Sequence, residues 1–117
     1  MRNFAKFILV ILGVIGFAST AFSHSKVNTT TPENEAVLQQ APSSIDMTFG
    51  SKIRLTKVAF QIEDQDLIEI DLDSYKGFKN SFSFPNVSEN SGQYKVEWRG
   101  LSIDGHVIQG KFSFTVE

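Results

Sequence analysis

Apolar and polar residues alternate along most of the chain beyond residue 43, a period of two that leaves one face of an extended strand dry and the other wet. Over 44–49, Ile45, Met47 and Phe49 alternate with Asp46 and Thr48, and Gly50 ends the run. Residues 53–62 predict a further strand with Val58, Phe60 and Ile62 on one face. In 67–72, Ile68, Ile70 and Leu72 alternate with Glu69 and Asp71, and Phe78, Phe82 and Phe84 lie on a strand that closes at Pro85. Gly92–Ser102 carries Tyr94, Val96 and Trp98 on one face and Lys95, Glu97 and Arg99 on the other. Val107–Val116 turns Phe112, Phe114 and Val116 inward. A short first strand is expected at 26–30, then a turn at Thr31-Pro32-Glu33-Asn34, after which Val37 and Leu38 tuck inward. The polar stretches 64–66, 76–77 and 86–91 are turns and loops.

Seven short alternating strands predict an all-β fold: a seven-stranded antiparallel β-sandwich of Greek-key, immunoglobulin-like type. A small barrel is the alternative. The segment before the strands differs in kind. Arg2 and Lys6 precede an apolar run at 7–17, too short to span a bilayer, which takes about 20 residues. With small residues at Ala21 and Ser23, it has the layout of a secretory signal, and residues 1–23 are expected to be removed before His24. A cut after Ala21, or an uncleaved anchor, is the competing outcome. The domain is then 24–117, and the product is expected to be periplasmic.

Composition narrows the chemistry. The 117 residues contain no Cys, which excludes disulfides, thiolate zinc sites, iron–sulfur clusters and Cys-ligated blue copper. A formal net charge of −2 provides no basic excess for nucleic acid. The chain has two His, His24 and His106. Cleavage before His24 would place a free α-amine beside that residue's own imidazole, and the two can chelate one ion. Both can lose their protons near neutrality, with ordinary pKa values of about 8 and about 6.5. Asp104 and His106 are two apart, so in an extended segment they point to the same side, and Gly105 between them permits a sharp turn. Three nitrogens and one oxygen in a tetragonal set suit Cu(II). The plainer alternative is that Asp-Gly is a common hairpin pair and the His after it a solvated loop residue.

The run Gly92-Gln93-Tyr94-Lys95-Val96-Glu97-Trp98-Arg99-Gly100-Leu101-Ser102-Ile103-Asp104-Gly105-His106, followed by Gly110 and Phe112-Ser113-Phe114-Thr115-Val116, resembles the C-terminal signature of the CopC-like periplasmic copper-binding family. The His at the expected mature start, the Thr31-Pro32 turn and Pro42 before a strand extend the likeness to the rest of the domain. The resemblance implies a seven-stranded β-sandwich acting as a carrier or buffer in copper resistance or homeostasis. It implies Cu(II) held by His24, through amine and imidazole, with Asp104 and His106. It also implies an inner-membrane copper permease as partner. No obligate apolar interface is visible in the pattern, so a monomer is expected. The chain departs from family members that hold Cu(I) in a Met-rich loop: beyond Met1 it has only Met47, on an inward-facing position, and no high-affinity Cu(I) site is expected.

Two other functions fit parts of the pattern. A metal-binding first residue beside a second His resembles the histidine brace of polysaccharide monooxygenases, but the domain is small, lacks an exposed aromatic cluster for a glycan, and offers an Asp where oxygen would bind. A metal-free interaction module fits if cleavage follows Ala21. A non-enzymatic carrier is the expectation. Trp98 is expected in the core, Arg99 in a structural role, and Ser102 as a hydrogen-bonding support for the ligands. Glu33 and Glu35 are expected to be solvated.

Overall fold

The computed structural model describes residues 27–117. Among these residues seven strands form: β1 (Val27–Thr31), β2 (Ala36–Leu38), β3 (Ser44–Ile62), β4 (Ile68–Glu69), β5 (Lys79–Pro85), β6 (Gly92–Ser102) and β7 (Val107–Val116). The hydrogen-bonded order is β1-β3-β6-β7-β2, with β4 and β5 also pairing β3. The expected sandwich is the architecture observed. The expected signal segment, and His24 with it, lie outside the described residues.

Where two strands were predicted between 44 and 62, there is one of 19 residues. Gly50 does not end it, because the strand changes partners rather than stopping. Its first half pairs β1 and β5, and its second half pairs β6. Register shifts fall between Thr48 and Ile53 on the β5 side and between Leu55 and Lys57 on the β6 side. A residue inserted into one strand of a ladder bends it and reverses which face each later side chain takes. The burial pattern records this: Ile45, Met47, Phe49, Ile53 and Leu55 are buried at odd positions, then Val58, Phe60 and Ile62 at even ones.

The bend in β3 brings the two halves of the ladder face to face around one core. Phe49, on the first half, meets the Trp98 ring of β6 edge-on at 5.0 Å and Phe82 of β5 at 6.0 Å. Tyr94 stacks on Phe114 at 4.8 Å, and its hydroxyl donates to the Asn90 carbonyl at 2.7 Å. The expected placement of Trp98 and Met47 in the core holds. Gly110 pairs Trp98 across β6 and β7, and a Cβ there would stand 2.8 Å from the indole. The absent side chain makes room for the ring.

Several expectations are corrected. All pairings are antiparallel except β2, which runs parallel to β7. With three residues it is too short to show a period, and Val37 points outward at 59% exposure instead of tucking in. The expected strand at 67–72 pairs only at Ile68–Glu69. Beyond it Ile70 and Leu72 rest at the margin of the core, and a 3-10 turn, Asp73–Tyr75, seats Tyr75 on Phe84 at 4.5 Å. Phe78, expected on the strand with Phe82 and Phe84, precedes β5, is 39% exposed and lies under the Arg54 guanidinium at 5.7 Å.

One consequence of the bend positions the chemistry. Val27 pairs with Phe49, and Ser102 pairs with Ile53, so the start of β1 and the β6–β7 turn both lie at the corner of β3.

Candidate metal centre

The β6–β7 ladder ends at the pair Leu101 and Val107. Beyond it the chain must reverse, and the backbone does so with two bonds: Gly105 N–H donates to the Ser102 carbonyl at 2.9 Å, and Ser102 N–H to the His106 carbonyl at 2.9 Å. Gly105 takes φ of +91°, in the region that side chains disfavour. This is the short hairpin loop that needs a residue of positive φ at its last position.

The turn brings two of the three expected ligands together. The His106 ring, through Nδ1, stands 3.2 Å from Asp104 Oδ2, and the two side chains are 81% and 67% exposed. Ser102, expected to hydrogen-bond within the hairpin, bonds to both residues. Its hydroxyl donates to Asp104 Oδ1 and accepts from the His106 backbone N–H at 3.2 Å. The same N–H lies 3.4 Å from Asp104 Oδ1. The carboxylate is therefore gripped on one oxygen by its own loop and faces the imidazole with the other.

Electrostatics follow from these contacts. The Ser102 hydroxyl, then the His106 backbone N–H, hold the Asp104 carboxyl below its ordinary range. Slight desolvation works against them, and the charge of the nearby imidazole contributes less. The carboxylate is ionised at neutral pH and open to solvent, which is the state a metal ligand requires.

Asp104 and His106 supply an oxygen and a nitrogen on one exposed tip. Among the described residues no group of three His, Asp or Glu side chains gathers around a common point. His24 is the one further imidazole in the chain. Single-strand reasoning gave no role to Ile103 and Val107, which flank the pair and are each 64% exposed. The signal was present as two β-branched apolar residues bracketing a polar turn.

A family model described as the CopC domain matches residues 27–117. Two curated relatives named copper resistance protein C are each 25% identical. One, from Xanthomonas campestris pv. juglandis, aligns with 99% of this chain and 97% of its own length; the other, from Escherichia coli, aligns with 89% and 90%. The copper transport protein CutJ of Bacillus subtilis (strain 168) is 20% identical over 99% of this chain, but the chain spans only 22% of that longer protein. Among solved structures, CopC from Methylosinus trichosporium OB3b superposes with a TM-score of 0.65 at 22% identity, covering 80% of this chain and 94% of that one. PcoC from Escherichia coli, titled a methionine-rich copper resistance protein, superposes with a TM-score of 0.56 at 20% identity, covering 81% and 100%. These superpositions show a shared fold.

Proposed function

The chain belongs to the CopC domain family, and from that premise we propose that it is an exported copper-binding protein that carries or buffers Cu(II) in the periplasm as part of copper resistance. The ion is cargo, held by the amine and imidazole of His24 at the mature N-terminus together with Asp104 and His106. An inner-membrane copper permease is the partner in keeping with that role.

One observation supports this reading above the others: Asp104 and His106 converge on an exposed tip at the corner of β3 from which β1 also starts. His24 precedes Val27 by three residues, a reach of at most about 10 Å of extended chain. The hairpin pair offers imidazole and carboxylate, and the N-terminus would complete a nitrogen-rich set that favours Cu(II) over other divalent ions. Capture and handover require no bond-making. The amine and both imidazoles must be free of protons to bind, so affinity should fall as pH drops from 8 to 5. Met47 is fully buried, which leaves no thioether at the surface of the described residues for Cu(I).

The test is the intact mass of the exported protein, followed by Cu(II) titration of that form and of His24→Ala. The reading expects a chain beginning at His24 and loss of tight binding in the variant. A mature chain beginning at Phe22, or tight binding that survives the substitution, would overturn it.

A further inference from the structure

The outer face of the β3–β6–β7 sheet carries a charge pattern that the fold does not require. Cross-strand register sets out its rows. Arg54, Leu101 and Val107 lie nearest the hairpin tip; Lys57, Arg99 and Gln109 follow; then Ala59, Glu97 and Lys111; then Gln61, Lys95 and Ser113. Five cations thus share one face with two carboxylates, Glu97 and, opposite Ala59 on β4, Glu69. The described residues as a whole hold 8 basic and 13 acidic side chains, an acidic balance of the opposite sign. None of these five has a carboxylate oxygen within 4.0 Å among the described residues, where the one ion pair is Asp104 with His106.

Two observations separate this from an ordinary solvated face. Lys57 and Arg99 are directly opposed across β3 and β6, and like charges in that arrangement cost stability. Around them Lys57, Glu97, Arg99, Gln109 and Lys111 line a shallow open groove of about 360 Å³. The row nearest the tip adds apolar surface beside its one cation: Leu101 is half-buried, Val107 is 64% exposed, and the Arg54 guanidinium lies over the Phe78 ring at 5.7 Å. An apolar patch beside a charged one is the make-up of a protein contact, with burial at one and electrostatic register at the other.

We infer that this face docks an acidic surface of a partner protein, and that it does so with the Asp104–His106 tip at the edge of the contact. A membrane is the poorer match. An anionic bilayer is broad and would repel the acidic remainder of the domain, whereas a local protein contact acts within a Debye length of about 8 Å. The purpose of the contact, delivery or receipt of copper, rests on the function proposed above; the contact itself does not.

The test uses the metal-free exported protein, so that it stands whether or not copper binds as proposed. The probe is a synthetic glutamate-rich peptide with interspersed leucines, titrated at low salt while backbone amide shifts are followed. Shifts should map to Lys57, Arg99, Leu101, Val107 and Lys111. The triple variant Lys57→Glu, Arg99→Glu, Lys111→Glu should weaken binding at least about tenfold, as expected for several exposed charge contacts reversed together. A control with Lys52→Glu and Lys79→Glu, cations outside the rows above, should bind within about twofold of the parent. The inference is overturned if shifts fall elsewhere, or if the control loses as much as the triple variant. It is also overturned if vesicles containing phosphatidylglycerol bind through this face while the peptide does not.

Discussion

Strands β6 and β7 carry two regions that could hardly differ more. Along their length Tyr94, Val96, Trp98, Phe112, Phe114 and Val116 are buried and interlocked with β3. A few residues away, the turn holds Asp104 and His106 open to water, fixed by Ser102 and the backbone of the turn itself. The core is held by apolar burial and aromatic contact, the tip by local hydrogen bonds. Stability and chemistry are thus carried by different residues on the same two strands, and each can be altered with little effect on the other.

The largest effect should come from the core. Tyr94→Ala removes a fully buried ring stacked on Phe114 and a hydroxyl that satisfies the Asn90 carbonyl, and should cost about 3–5 kcal/mol in chemical denaturation. Gly110→Ala should come next. Its Cβ would stand 2.8 Å from the Trp98 indole, and the displacement should cost about 1–3 kcal/mol with a shift in Trp98 fluorescence. A Gly110→Ala protein as stable as the parent would show that the ring moves freely and the core is looser than described.

At the tip, Ser102→Ala should leave the unfolding midpoint nearly unchanged but move the Asp104 titration. The folded pKa of Asp104 lies below its unfolded value of about 3.9, so its contacts favour the native state above about pH 4. That contribution disappears as pH falls through the folded value. Removing the hydroxyl should raise the folded pKa and narrow this window, as followed by the Asp104 carboxyl carbon in NMR. An unmoved titration would mean that the backbone N–H of His106 holds the carboxylate alone.

The same contrast explains what the sequence could convey. Alternation located β6, β7 and both halves of β3, because each buries one face against a single core. It missed that Ser44–Ile62 is continuous, because the register shifts that join its halves depend on its partners. It extended the β5 strand to Phe78, since a Phe just before a strand continues the apolar pattern whether or not an Arg covers it. The parallel pairing of Ala36–Leu38 is set by a connection three residues cannot encode. At the site, the Asp104–His106 pair was legible from a spacing of two across a Gly, and Ser102 from its place in the same turn. The cationic face was legible only in part. Lys95 and Arg99 mark the wet side of β6, but the opposition of Lys57 and Arg99 exists only once β3 is paired in register.

Electron paramagnetic resonance of the exported protein loaded with one equivalent of Cu(II) asks whether a single cupric ion bridges the hairpin tip and the mature N-terminus. Coupling to three nitrogens is expected in the parent and to two in His106→Ala, with the unfolding midpoint of that variant unchanged. A spectrum that His106→Ala leaves unaltered would place the copper away from the hairpin and rule the bridge out.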